Sequence, residues 1–580
     1  MNAKEKFEFW LHSSYFDHET KKELEKIKDN PDEIEERFYK DLEFGTAGLR
    51  GIMGAGTNRM NIYTIRKASA GVAEYVARNV ENGIERGIVI AYDSRYNSRH
   101  FALEAAKVFG GRGIKAFVFE SLRPTPELSF AVRHLKAAAG IVITASHNSC
   151  EYNGYKVYGE DGCQLPPAES FMVMECVNCI DDITGIEVPD ENYLQEKGLM
   201  VYIGEEIDNI YIDRLKTLAL NQDLSKKTGR SLKLVYTPLH GTGAILVPRI
   251  LRETGFDNVS VVKEQASADP AFPTVKYPNP EDPAVYALAI KQAEKEAANL
   301  IIATDPDCDR IGVAVKNPEG KFLVLTGNQT GCLLLEYILS QLKEKSILPS
   351  NAFAVKTIVT TSMANTIAEN YGVEMVEVLT GFKFIGEKIK ELDDNGSMKF
   401  IFGFEESYGY LAGTFARDKD AVVTAMLVAE MAAYFHSMGK TLYDAMVDLY
   451  KKYGYYLEDV DSMTLAGASG SNIIQSIMGF LRKNKPAGFG PYEVLAVRDY
   501  LEGTRVLLRG GKEETLNLPA SDVLYFEMAD GGWFCIRPSG TEPKIKFYFG
   551  VKAESREKAK ERLDGLKESV MGYINSFLEK

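Results

Sequence analysis

The sequence predicts an α/β fold: three related modules built on mixed sheets, then a smaller α+β domain. Three observations predict it: short apolar runs ending in polar tips alternate with helical stripes, the alternation restarts near residues 205 and 325, and the last hundred residues switch to closely spaced strands with one charged helix. Residues 17–40 are charged and helix-forming and read as a solvated surface helix or pair, so 1–40 form an extension. In the first module, 41–205, Asn61–Val80 carries an apolar helical stripe at Ile62, Ile65, Val72 and Val76. A strand at 87–91 ends in Tyr92-Asp93-Ser94-Arg95, a helix starts at Ser98, and a strand at 115–119 leads to Arg123-Pro-Thr-Pro-Glu127. The run Ile141–Ile143 is a further strand, with Ser146 at the tip of the loop after it. The second module, 206–325, has strands at 231–236 and 299–304. The third, 326–485, has strands at 351–360 and 398–402, an apolar helix at 421–438 and a linker-like stretch at 483–488. The last domain, 486–580, has strands at 523–528, 533–537 and 544–549 and a helix from 554 to 580.

Bulk properties exclude several classes. Hydrophobic residues at 45% and charged residues at 26% match ordinary soluble usage, which disfavours disorder and fibrous folds. The net charge, 68 − 82 = −14, argues against nucleic acid as a partner and requires any anionic substrate to be drawn by local cations. No apolar run approaches the ~18 residues of a membrane span, and the first residues lack the apolar core of a signal peptide, so no membrane partner is expected. Seven scattered cysteines predict a reducing cytoplasm rather than a disulfide framework. Cys176-Val-Asn-Cys179 lacks the second pair that a zinc site needs and reads as two ordinary thiols.

Four stretches carry chemistry. Gly140 to Asn148 delivers the Ser146 hydroxyl to a strand's carboxyl end, where open α/β sheets bind ligands, although the same residues also suit a polar turn. Asp305-Pro-Asp307-Cys-Asp309-Arg310 lies between apolar strands, and in an extended loop its three carboxylates would share one side while Pro306 and Cys308 face elsewhere. Such a set of hard oxygens suits Mg²⁺, the alternative being a solvated acidic turn; a calcium EF-hand is rejected because Arg310 replaces the turn glycine and Lys316 the final glutamate. Arg537-Pro-Ser539-Gly540-Thr541-Glu-Pro-Lys544 offers cations, hydroxyls and backbone donors suited to a phosphate, or a plain turn. Gly403-Phe-Glu405-Glu406-Ser407 offers two carboxylates and a hydroxyl for vicinal sugar hydroxyls, with Lys383 and Lys419 in neighbouring cationic stretches.

Thr144-Ala-Ser-His-Asn148, Asp305-x-Asp-x-Asp-Arg310, Gly403-Phe-Glu-Glu-Ser407 and Arg537-Pro-Ser-Gly-Thr541 together resemble the four signature loops of the α-D-phosphohexomutases, in the family's order and one per domain. The resemblance covers residue 40 onward and is strongest to the larger bacterial α-phosphoglucomutases. It implies four domains around a central cleft. It also implies interconversion of glucose 1-phosphate and glucose 6-phosphate through a phosphoserine and a glucose 1,6-bisphosphate intermediate, the bisphosphate also acting as activator. Ser146 would carry the phosphoryl group, and one Mg²⁺ would bind Ser146, Asp305, Asp307 and Asp309. Lys156, His147 and Arg50 would serve catalysis. Lys383, Glu405, Ser407, Lys419, Arg537, Ser539, Gly540 and Thr541 would hold the substrate. The partners implied are small sugar phosphates, and the chain would act as a monomer or weak homo-oligomer. Sister activities on mannose or pentose phosphates are the alternatives, ahead of a non-catalytic sugar-phosphate binder or a metal-dependent phosphatase. One departure stands out: the family's proline after Ser-His-Asn is Ser149 here, followed by Cys150, which loosens the loop by roughly 0.4–1 kcal/mol.

Overall fold

The computed structural model describes residues 1–43, 48–465, 467–539 and 544–578, without the side chains of 467–469 and 471. Three short helices open the chain, Ala3–His12, His18–Glu25 and Pro31–Phe38, capped by the side chains of Asn2, Asp17 and Asn30. This leader is not a solvated surface pair. Phe16, Leu24, Ile34 and Phe38 are buried with Trp10 against Tyr63, whose hydroxyl donates to Asp17 Oδ2 at 2.8 Å. Its charges occupy the wet face of each helix, and its few apolar residues are spaced to share the other.

Three sheets follow the same path. In the first, Tyr152–Gly159 lies antiparallel to Ala139–Ile143, which is parallel to Ile88–Tyr92, itself parallel to Ala116–Phe119; Leu49–Ile52 and Met200–Ile203 extend its edges. The second repeats the pattern with Ile311–Lys316 antiparallel to Leu300–Thr304, then Leu234–Thr237 and Val259–Val261 parallel, and Phe322–Val324 as an added edge. The third has Gly409–Ala412 antiparallel to Lys399–Glu405, then Ala352–Thr357 and Glu374–Val378 parallel. In each sheet one parallel strand turns directly into an antiparallel neighbour: Ala139–Ile143 into Tyr152–Gly159, Leu300–Thr304 into Ile311–Lys316 and Lys399–Glu405 into Gly409–Ala412. The three turns are the Ser146 loop, the 305–310 loop and the 405–408 loop, so three of the sequence motifs occupy one equivalent place at strand carboxyl ends.

The last sheet is all antiparallel, running Tyr455–Thr464, Lys544–Ala553, Trp533–Pro538, Leu524–Met528, Tyr492–Asp499, Thr504–Leu507, Glu513–Thr515, with Gly488–Phe489 pairing beside Tyr492–Asp499. Its first strand is drawn from within 326–485, and helices Gly467–Asn484 and Arg556–Leu578 supply apolar side chains to its core. The stretch 483–488 is therefore no free linker: it ends one helix and begins a strand, because Met478 and Leu481 before it and Phe489 after it are all buried in that core. No single helix among the described residues is long and apolar enough to cross a membrane. The apolar helix Ala421–Ser437 is a core element, buried from Ala421 through Ala433.

Candidate active site at three equivalent loops

Ser146 stands at φ 51°, a left-handed backbone uncommon for any residue but glycine. Part of what holds it there is local, since its N–H donates to Thr144 Oγ1 at 2.8 Å. The return strand lies tight against the loop: a Cβ on Gly154 would meet Thr144 O at 2.4 Å, which explains the glycine there. The buried Ser146 hydroxyl donates to Asp305 Oδ2 at 2.8 Å and lies 3.2 Å from His147 Nδ1. Burial, then the nearby Arg310 and Arg50, push the His147 pKa well below its usual value, so the imidazole is neutral. Arg50, on the edge strand, donates to Asn148 Oδ1 at 3.1 Å.

Asp305, Asp307 and Asp309 bring carboxylate oxygens within 4.8 Å of one another. They converge through a compact turn with Cys308 at φ 54°, not through the alternation of an extended loop. All three are buried, and Asp307 Oδ1 and Asp309 Oδ1 accept no hydrogen bond among the described residues. Burial, followed by repulsion from Asp307 and Asp309, drives the Asp305 pKa well above the carboxylate range. Orphaned hard oxygens under mutual repulsion are what a divalent cation relieves, so these residues fit a metal.

Two lysines already offset part of that charge. Lys156 Nζ lies 2.9 Å from Asp307 Oδ2 and 3.4 Å from Asp309 Oδ2. Burial opposes its charge, yet Asp307 and Asp309 hold its pKa above the ordinary value, so it remains an ammonium. Lys419 Nζ is 3.2 Å from Asp309 Oδ2 and 3.0 Å from Asp418 Oδ1, and although burial opposes it, Asp309, Asp418 and Glu405 raise its pKa too. Glu405, buried at the end of its strand, has its pKa raised by burial against the pull of Lys419 and Arg310. Ser407 is half-buried in the same turn. Glu406 does not share that role: its Oε2 accepts from the Thr357 and Thr360 hydroxyls at 3.1 Å each. The turn docks on the acidic loop through Ile311 N–H to Tyr408 O, 3.1 Å, and a bridge between Arg310 and Gly409.

Further out, Lys383 sits in the first turn of Phe382–Leu392, where burial and then the positive Arg537 pull its pKa down to about 8 against Glu387. Arg537 ends the strand Trp533–Pro538, and Ser539 N–H bonds Lys544 O at 2.7 Å. Gly540 and Thr541 lie outside the described residues. Sequence reasoning missed Thr125, which gives its hydroxyl to Asp307 Oδ2 at 3.0 Å and its N–H to Asp307 O at 2.9 Å. Its only signal was the Pro-Thr-Pro tip after a strand.

Four family models match the chain in order: Phosphoglucomutase/phosphomannomutase alpha/beta/alpha domain I at 41–183, domain II at 209–320, domain III at 326–453, and the C-terminal domain at 499–567. The chain belongs to the phosphoglucomutase/phosphomannomutase family. Among family members, a Phosphoglucomutase of Staphylococcus haemolyticus is 38% identical over 523 residues, covering 90% of this chain and 92% of its own. One from Staphylococcus saprophyticus is 37% identical, covering 93% and 94%. Among solved structures, the open form of a Paramecium phosphoglucomutase (parafusin) has a TM-score of 0.69 at 15% identity, covering 92% of this chain and 96% of that one. A Thermus thermophilus protein described as a phosphomannomutase has 0.66 at 22%, covering 92% and 99%. At these identities the two structures speak for the fold alone.

Proposed function

We propose that this family member is a phosphoglucomutase, interconverting α-D-glucose 1-phosphate and glucose 6-phosphate through phosphoserine 146 and bound glucose 1,6-bisphosphate, which also serves as activator. The observation that carries the reading is the Ser146 hydroxyl seated 2.8 Å from Asp305 of a buried triple-aspartate loop, whose Asp307 and Asp309 pair with Lys156. A phosphate monoester on that oxygen would otherwise stand against three acids, and binding alone would call for neither the left-handed serine nor the acids. The relatives named Phosphoglucomutase at 36–38% identity support glucose as the sugar.

In the forward half-reaction the P–O bond to Ser146 Oγ breaks as a bond forms from phosphorus to a hydroxyl oxygen of glucose 1-phosphate. The proton of that hydroxyl is released, and Ser146 Oγ regains one. Asp305, Asp307, Asp309 and the seryl phosphate would hold one Mg²⁺, which supplies charge neutralisation on the transferring group. Lys156, an ammonium beside Asp307 and Asp309, would be the acid that returns a proton to the seryl oxygen as it leaves, and His147, held neutral beside Ser146 Oγ, would take that proton in the return half, when the seryl hydroxyl attacks the bisphosphate. Arg50 contributes positive charge at the cleft face of the loop. Glu405, Ser407 and Lys419 would hold sugar hydroxyls, and Lys383, Arg537, Ser539, Gly540 and Thr541 the phosphate that is not reacting. Segments 41–205, 206–325, 326–485 and 486–580 would thus contribute one loop each. The seven free cysteines support work in a reducing cytoplasm.

The test is a coupled assay on glucose, mannose and ribose 1-phosphates with bisphosphate added or withheld, on wild type and Ser146→Ala. Glucose 1-phosphate should be turned over fastest, with little free phosphate released, and Ser146→Ala should be inactive yet folded. Turnover by Ser146→Ala would end the phosphoserine assignment, and preference for mannose or ribose would redirect the sugar.

A further inference from the structure

The loop that presents Ser146 has main-chain carbonyls outside any strand or helix, and buried carbonyls need donors. One side chain reaches three of them and the first carbonyl of the return strand. Arg95, 3% exposed, donates from Nη2 to Ser146 O at 2.5 Å and to Asn148 O, and from Nη1 to Ser149 O at 2.6 Å and Tyr152 O at 3.1 Å. A planar, permanently charged fork can meet four carbonyls at fixed angles, which an ammonium cannot.

The fork is itself held on two sides. Its Nε lies 3.2 Å from Asp93 Oδ2, a buried carboxylate that also accepts from Thr144 Oγ1 at 2.6 Å and Ser98 Oγ at 2.7 Å. Thr144 Oγ1 is the acceptor of the Ser146 N–H, so Asp93 braces the loop from its other end. On the remaining face, Phe272 of the next module lies 5.0 Å from the guanidinium and is 1% exposed. The Phe272 loop is tethered by His240, whose ring nitrogens lie 3.1 Å from Ser267 O and 2.9 Å from Thr274 Oγ1.

We propose that Arg95 is the positioning residue of the Ser146 loop, holding the serine in its left-handed backbone and its oxygen in line for transfer while touching no substrate. Docking of the second module, through Phe272, seats it. The proposal deepens the phosphoserine reading and rests on it for its kinetic consequence, but the clamp itself has a readout independent of turnover. Cys150 is half-buried within the clamped 146–152 segment, whereas Cys179 is exposed and serves as an internal control.

The experiment compares wild type, Arg95→Ala, Arg95→Lys and Phe272→Leu by steady-state kinetics, by iodoacetamide labelling mapped to individual cysteines, and by thermal unfolding. Arg95→Ala should lower kcat about 10²-fold, the loss expected from a displacement of roughly 1 Å, while KM changes by no more than about twofold. Cys150 should label several-fold faster with Cys179 unchanged. Faster labelling at Cys150 alone, with Cys179 unchanged, reports an opened loop. Added guanidinium ion should restore part of kcat in Arg95→Ala. Arg95→Lys and Phe272→Leu, which keep the charge or the apolar volume, should show the same pattern at smaller size and decide the matter if Arg95→Ala does not fold. The proposal is overturned if kcat survives in Arg95→Ala, or if the folded variants lose activity with Cys150 labelling unchanged. Turnover by Ser146→Ala would instead sink the phosphoserine reading, leaving the labelling result to judge the clamp.

Discussion

Lys383 offers a quantitative test of the proposed grip on the phosphate that is not reacting. Burial is the chief cause of its low pKa, Arg537 adds to it, and Glu387 and Cys163 oppose it, leaving a value of about 8 in place of 10.5. That depression corresponds to about 3 kcal/mol of disfavoured charge. Because a cation's pKa is depressed in the fold, the protonated lysine costs stability below about pH 8, and this cost fades as pH rises from there toward 10.5. Binding runs the opposite way. About nine-tenths of Lys383 is charged at pH 7 and about one-tenth at pH 9, so if only the ammonium grips the phosphate, KM for glucose 1-phosphate should rise about tenfold over that span. Substrate ionisation does not interfere, since a phosphate monoester with a second pKa of ~6 is already dianionic there. Lys383→Arg, whose guanidinium stays protonated, should flatten the profile. The assay is KM against pH for both proteins at saturating metal, and parallel profiles would refute the reasoning.

Other perturbations follow from the same geometry. Saturating Mg²⁺ at 100 times its Kd should raise unfolding stability by about 2.7 kcal/mol, seen as a higher Tm that chelator removes, and Asp307→Asn should abolish that shift along with turnover. Trp10→Ala, which removes the ring stacked on Phe16 and packed edge-on to Phe38 and Tyr63, should cost about 3–5 kcal/mol in denaturant unfolding without changing KM. Alkylation of Cys150 by iodoacetate should inactivate the dephosphorylated protein faster than the phosphorylated one, because a seryl phosphate four residues away repels the anionic reagent; equal rates in mass-mapped labelling would dismiss the effect.

The sequence made the buried parallel strands legible because Ile88–Tyr92, Ala139–Ile143 and Leu300–Thr304 are nearly uninterrupted apolar runs. Tyr152–Gly159 was opaque as a strand since its buried positions include Asn153, Gly154 and Lys156, chosen for the site rather than for a core. Tyr455–Thr464 was opaque for another reason: it carries Glu458, Asp459 and Asp461 and is half in water, and only pairing with Lys544–Ala553 makes it a strand. At the site, motif-borne residues such as Ser146 and Asp305 could be named in advance. Thr125 and Arg95 could not, because what gives them meaning is a partner 182 or 51 residues away along the chain. The three-fold equivalence of the turns was invisible for the same reason, as it lives in strand order and not in residue identity.

The acidic loop also has a history during synthesis. Lys156 is made before Asp305, Asp307 and Asp309, but Lys419, which lies 3.2 Å from Asp309, follows that residue by 110 positions, 419 − 309. At roughly 5–20 residues per second this delay lasts about 6–22 s. Through that interval the nascent first two modules can dock Ser146 against Asp305 with Lys156, but not yet Lys419, paired to the carboxylates. Until the third module emerges, the half-built centre therefore lacks one of the two ammoniums that face Asp309, and a divalent ion captured from the surrounding solution would stand in for it.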